Sequence, residues 1–132
     1  MRRLLLLYGL AMTFGGIPLL YMGDELGQGN DESVEALRLS HADARWIQRP
    51  HFDAGRYASR SDPATAAGAV FTALRKWIAL RRSLAALRAD VPVTLLPTPH
   101  RALLLLARGN GFLALFNFSG MEQTLDLPPA MP

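Results

Sequence analysis

An α/β arrangement followed by a small antiparallel sheet is the fold that this sequence predicts, and three observations predict it. Residues 3–14 are an unbroken helical stretch with apolar residues on every side, stopped by Gly15-Gly16 and followed at once by a continuous apolar run, Ile17–Met22. Asp62 to Ser83 carries the clearest helical spacing in the chain. Beyond Asp90 the pattern shortens to that of strands, with Gly109-Asn110-Gly111 set between two of them. A helix that leads into a buried strand is the order of elements in an α/β barrel or a doubly wound sheet. The change of period places a boundary near Ala89-Asp90, giving regions 1–89 and 90–132.

Each element has a local reason. Glycine ends a helix without the steric cost of a Cβ in the left-handed region, so Gly15-Gly16 is the stop of the first helix. Ile17–Met22 begins with Pro18, which is tolerated at the first residue of a strand, and an all-apolar run suits a parallel strand covered on both faces. From Gly23 to about Ser61 no periodicity persists, and a connection that long is usually a binding loop or lid; Glu32–Leu39 within it reads as a short helix. Asp62 as N-cap and Pro63 at the first helical position open the next helix. Ala67, Val70, Phe71, Leu74, Trp77, Ile78 and Arg81 form its buried face, with the end near Ser83 and some helical continuation to Arg88. Pro92–Leu96, Leu103–Ala107, Phe112–Phe118 and Thr124–Leu127 read as short strands, with Gly109-Asn110-Gly111 as a tight hairpin turn.

Composition narrows the classes. The chain has 132 residues, half of them apolar, enough for a core, and only 19% are charged, too few for a disordered chain. Its net charge of +3 comes from 14 basic residues, all but Lys76 arginine, and they are scattered rather than clustered as a nucleic-acid surface requires. With no cysteine there are no disulfides and no thiolate metal sites, and His41, His51 and His100 lie too far apart for a metal-ligand pattern. Met1-Arg2-Arg3 before Leu4–Leu7 has the look of a secretory signal, but no small-x-small cleavage site closes it and Gly-Gly-Ile-Pro interrupts it. Neither a cofactor, a membrane nor a nucleic acid is expected as a partner; the compartment is left open, with the cytoplasm preferred over export.

Three segments carry a resemblance. Gly16-Ile17-Pro18-Leu19-Leu20-Tyr21-Met22-Gly23-Asp24-Glu25 resembles the eighth-strand motif of the α-amylase superfamily. Asp43-Ala44-Arg45-Trp46-Ile47-Gln48-Arg49-Pro50 is similar to the loop that follows this strand in amylosucrases and sucrose hydrolases. Arg60-Ser61-Asp62-Pro63-Ala64-Thr65-Ala66-Ala67-Gly68, with Leu74-Arg75 and Ile78-Ala79-Leu80-Arg81, resembles the eighth helix of the same subgroup. The three occur in order, cover essentially the whole chain, and weaken after Asp90.

The resemblance implies the last part of a (β/α)8 barrel followed by the start of an antiparallel β domain, as the C-terminal portion of a retaining, sucrose-acting enzyme. It implies sucrose and α-glucan as partners of the full-length enzyme, through transfer of a glucosyl group to glucan or water. The nucleophilic Asp, the acid Glu and the stabilising Asp of such enzymes lie on earlier strands, so this stretch carries no catalytic residue and has no turnover of its own. Arg45 matches the arginine that closes the glucosyl pocket against an Asp of an early strand, with Arg49 as the second candidate. Gly16, Pro18, Gly23, Asp24 and Glu25 are implied to be mainly structural, with Glu25 anchoring the strand end.

Other residues have two readings. Arg45 is otherwise a surface arginine paired within its loop. Trp46, Phe52 and Tyr57 either stack on sugar rings or pin the loop, Trp77 belongs to the core, and His41 and His51 make ordinary hydrogen bonds. Asn30-Asp31-Glu32 lacks the alternating oxygen ligands of a calcium loop. An independent carbohydrate-binding or interaction module, and a small exported protein with a targeting segment, remain as alternatives. If Ile17–Met22 lacks neighbouring strands, about five large apolar side chains at ~1.5–3 kcal/mol each stay in water, on the order of 10 kcal/mol. A domain has only about 5–15 kcal/mol of net stability, so the separate chain is expected to aggregate, unfold in part or depend on self-association.

Overall fold

The computed structural model describes residues 1–127, a mixed helix-and-sheet structure. Its helices are α1 (Arg2–Thr13), α2 (Val34–Ser40), α3 (Ala54–Ala58) and α4 (Ala66–Ser83), and its strands are β1 (Val93–Leu96), β2 (Leu103–Arg108) and β3 (Phe112–Asn117). Two compact units divide it. The first takes Met1, Arg3–Leu5 and Leu19–Lys76; the second takes Arg2, Leu6–Pro18 and Trp77 onward. The division falls inside α4.

The first unit contains a succession of short helical pieces, three of them begun by a side-chain cap. Ser33 Oγ accepts from the Ala36 amide at the start of α2, and Asp53 Oδ1 accepts from the Arg56 amide at the start of α3. Asp43 caps a single tight turn at Ala44–Trp46 through the Arg45 amide. These caps satisfy N–H groups that helix starts leave without partners, which lets an aperiodic sequence become locally ordered. The long loop expected over residues 23–61 is therefore largely helical turns. Leu26, Ala36, Ala67, Val70 and Leu74 are its buried apolar residues. Gly27, at φ 60°, leaves Val70 Cγ2 only 3.1 Å from where a Cβ would stand.

Two expectations about elements need correction here. Ile17–Met22 is not a strand: residues 17–21 have no regular structure, and Tyr21–Gln28 folds into a turn around Asp24–Leu26. A parallel strand is held by ladder bonds to its neighbours, and the described residues contain no parallel pair for this run to join. The start of α4 is also displaced. Asp62 Oδ1 accepts from the Ala64 amide in a turn, and the cap of the helix is Thr65, whose Oγ1 accepts from the Gly68 amide at 3.0 Å. Pro63 lies in the turn, before the helix proper.

The second unit is built on a three-stranded antiparallel sheet in the order β1-β2-β3. Arg108 pairs with Phe112 across a three-residue loop in which Gly109 and Gly111 take φ 49° and 90°, as the Gly-Asn-Gly turn predicts. Leu105 and Leu106 of the central strand, which is paired on both sides, are 1% and 0% exposed. Thr124–Leu127, expected as a strand, has no regular structure.

Helix α1 ends where Gly15-Gly16 predicts, with Gly16 at φ 72°. It is less buried than its all-apolar sequence suggests: Gly9, Met12 and Thr13 are buried, whereas Leu7 is exposed. A Cβ at Gly9 would stand 3.0 Å from Trp77 and 3.4 Å from Phe116, so glycine there lets both rings approach the helix backbone. Trp77 is accordingly a packing residue. Along α4, Ala67, Val70 and Leu74 of the expected face are buried, Phe71 and Trp77 half-buried, and Ile78 exposed. The last turn of α4 gives way to a tight turn at Ala85–Leu87, matching the expected continuation toward Arg88. No described helix is long and apolar enough to cross a membrane.

Candidate functional site

The candidate site is the capped turn at Asp43–Arg49. Asp43 begins it with an extended backbone and turns its carboxylate back onto the Arg45 amide at 3.0 Å. The same carboxylate receives the Arg45 guanidinium: Nε donates to Oδ1 at 2.8 Å and to Oδ2 at 3.0 Å, and Nη2 lies 2.8 Å from Oδ2. A planar guanidinium meeting both oxygens of a carboxylate is a preferred geometry for this pair. Hydrogen bonds from the Arg45 side chain and then its amide, with the charges of Arg45 and Arg49 added, hold the Asp43 carboxyl down at about 2. The Arg45 guanidinium is correspondingly shifted upward, chiefly by its bond to Asp43.

The pair is open to solvent, with 68% of the Arg45 side chain exposed. Arg49 is exposed, its amide donating to the Trp46 carbonyl at 3.3 Å. The charges of Arg45 and Arg49 thus both act on one carboxylate, that of Asp43. The partner of Arg45 is a residue of its own loop, the surface pairing that the sequence left open. Asp43 could have been anticipated, because an Asp two residues before an Arg can cap a turn and meet the guanidinium together.

The motif residues act locally. Glu25 Oε2 accepts from the Gly23 amide and Asp24 Oδ2 from the Tyr21 amide, both at 2.9 Å, so both carboxylates tie down the turn that follows the apolar run. Gly16 and Gly23 adopt φ 72° and 93°, conformations glycine takes without strain, whereas Pro18 lies in the irregular segment.

An open groove of about 780 Å³ lies between Gln28–Ser33 and Pro50–Ala54, with Glu35 and Arg56 completing its wall. Two of its four carboxylates are occupied locally: Asp31 accepts from the Ser33 amide and Asp53 from the Arg56 amide. Gln28 Nε2 donates to the His51 carbonyl at 2.6 Å, binding one wall to the other. Tyr57 is held between Phe52, at 5.5 Å between ring centroids, and the Arg60 guanidinium, 3.8 Å above its ring. Tyr57 is thus in contact on both sides, yet it remains exposed, as do Phe52 and Trp46. Among the described residues no group of three or more His, Asp and Glu is placed to hold a metal ion.

Sequence reasoning passed over Arg108, because its strand was ended at Ala107. Arg108 is the largest fully buried side chain of the described residues, 1% exposed. The available signal was an arginine closing a run of apolar strand residues directly before a glycine turn. No protein-family model matches the chain.

Proposed function

We propose that this chain is the C-terminal portion of a retaining, sucrose-acting (β/α)8 enzyme of the amylosucrase type, with residues 17–22 serving as the last barrel strand when the rest of the barrel flanks them. The observation that carries the reading is this segment. It bears the strand-end motif, it is almost wholly apolar, and it is unusually exposed, with Ile17 at 87%, Leu19 at 83% and Met22 at 60%. Such a run suits burial between parallel neighbours and has no reason to stand in water. The resemblance of Asp43–Pro50 and Arg60–Gly68 to the same subgroup supplies the second support.

In the assembled enzyme the chemistry comes from carboxylates outside residues 1–132. One attacks the glucosyl carbon of sucrose, another protonates the departing fructosyl oxygen, and the glucosyl group then passes to a glucan hydroxyl or to water. This chain contributes the end of the pocket. Arg45, already suited to a forked contact with a carboxylate, would exchange Asp43 for an aspartate of an early strand and close the floor beneath the sugar. The region from residue 90 onward forms the start of the appended β domain.

The test is the reading frame upstream of the Met1 codon. An open frame that encodes the remaining strands, with Asp, Glu and Asp at their ends, supports the proposal; a stop codon with a ribosome-binding site directly before Met1 overturns it. In the full enzyme R45A should then raise KM for sucrose. A second reading, an independent carbohydrate-binding module, is favoured by the groove at residues 28–56 with Phe52 exposed beside it. Calorimetric titration of the chain with sucrose and with an α-glucan distinguishes that reading by saturable heat.

A further inference from the structure

We infer that Arg81 and Arg108 form a two-armed clamp on the C-terminal end of α1 and are positioning residues that fix where the chain leaves this helix at Gly16. The last carbonyls of a helix have no intrahelical partners and carry partial negative charge, so cations are favoured there. Here two guanidiniums from different elements serve the same helix end. From α4, Arg81 donates through Nη1 to the Met12 carbonyl and through Nη2 to the Gly16 carbonyl. From β2, Arg108 donates through Nη1 to the carbonyls of Thr13 at 3.2 Å and Phe14 at 2.7 Å. Its Nη2 reaches the carbonyls of Arg88 and Val91, joining the segment after α4 to the same point.

A general packing role does not explain Arg108. It is 1% exposed, no carboxylate forms an ion pair with it among the described residues, and its Nε has no acceptor. A buried charge without a counter-charge is strongly disfavoured unless fixed dipoles replace the water it has lost. Here those dipoles are the carbonyls at the end of α1 and around Arg88–Val91. Burial and then the neighbouring Arg81 shift the guanidinium downward against the smaller opposing pull of Asp90, which makes no ion pair with it; arginine stays charged in proteins, so the clamp holds at every ordinary pH. Lysine cannot replace it, because one ammonium cannot present a planar fork to carbonyls on two segments. Two arms that meet on Met12–Gly16 leave the left-handed turn at Gly16 one direction of exit.

The clamp belongs to this chain whatever the enzyme around it; only its consequence for catalysis, through the motif that follows Gly16, rests on the proposed function. The test is hydrogen exchange of the intact chain, comparing the Met12–Phe14 amides with the β2–β3 amides in wild type, R108M, R108K, R81M and the double variant R81M/R108M. The clamp predicts that exchange at Met12–Phe14 rises about tenfold or more beyond any change in the hairpin, as loss of a charge-assisted hydrogen bond implies. It predicts that R108K does not restore protection, and that the double variant gains less than the two single effects multiplied. The inference is overturned if helix-end and hairpin amides accelerate by one common factor, or if the helix end does not respond. If R108M does not fold, R81M decides alone, since Arg81 is only half-buried. A reading frame without the barrel would refute the proposed function and leave this result untouched.

Discussion

Replacing Gly68 with alanine should destabilise the chain, against the ordinary helix preference. In an unencumbered helix, glycine to alanine gains about 1 kcal/mol. Gly68 sits in the first turn of α4, where the helix passes directly over the preceding turn. A Cβ there would lie 1.9 Å from the Asp62 carbonyl oxygen, 2.5 Å from its carbon and 3.1 Å from the Ser59 carbonyl oxygen. All three are backbone atoms, so no side chain can rotate away, and the carbonyl must retreat by about 1.1 Å to reach even 3.0 Å. That carbonyl accepts from the Thr65 amide at 3.1 Å and from Thr65 Oγ1 at 2.8 Å, and the same Oγ1 caps the Gly68 amide. Moving it disturbs the cap, whose loss costs about 1 kcal/mol, and overpacking adds ~1–3 kcal/mol. Set against the helix-propensity gain, the net effect is a loss of about 1–3 kcal/mol. Urea unfolding followed by circular dichroism measures it, with G120A as the control, since nothing lies within 4 Å of a Cβ at Gly120. A G68A chain as stable as wild type, or more so, refutes the reasoning.

Three further outcomes follow from the geometry. Asp43, held at about 2 by Arg45, should titrate there in a carbon-detected NMR experiment and return toward 3.8 in R45A. Because its pKa is depressed on folding, the stabilisation it gives is present above pH 3.8 and fades as pH falls toward about 2. Leu106 is 0% exposed at the centre of the sheet, so L106A should lower unfolding free energy by about 2–5 kcal/mol in the same urea assay. The paired substitution I17D/L19D removes two of the most exposed apolar side chains and should reduce self-association in sedimentation velocity while leaving helix content unchanged; unchanged association would assign the contact to another surface.

What the sequence disclosed follows from how local each signal is. The Gly-Asn-Gly hairpin, the glycine stop after α1 and the short helix near Glu32–Leu39 each depend on neighbours in sequence, and each appears close to its expected place. The start of α4 was misplaced by three residues because Asp62 and Thr65 both have capping chemistry, and the helix takes the second. The order within residues 23–61 was hidden because single-turn helices are too short to show a period. Their caps at Ser33, Asp43 and Asp53 were visible but had no apolar repeat beside them. Arg108 has one sequence signal, its place at the end of an apolar run before a glycine turn, but its partners are carbonyls 17 to 95 residues away, and carbonyls leave no trace in sequence.

The run Ile17–Met22 shows where local logic stops. Its composition specifies a strand only if hydrogen-bonding neighbours exist, because an extended backbone with no ladder leaves its N–H and C=O groups to water. In this chain the groups just beyond it find partners close at hand instead: the Tyr21 amide turns to Asp24, the Gly23 amide to Glu25, and Gly23 and Gly27 take left-handed conformations that fold the backbone back on itself. The local turn competes with the strand end, and it prevails here because it needs only five or so consecutive residues. Neighbouring strands would offer the apolar run both a ladder and burial of Ile17, Leu19 and Met22, a gain of roughly 1.5–3 kcal/mol per side chain that a local turn cannot match. Under the proposed function the same residues would have a second stable answer, and the neighbouring strands of the barrel would decide between the two.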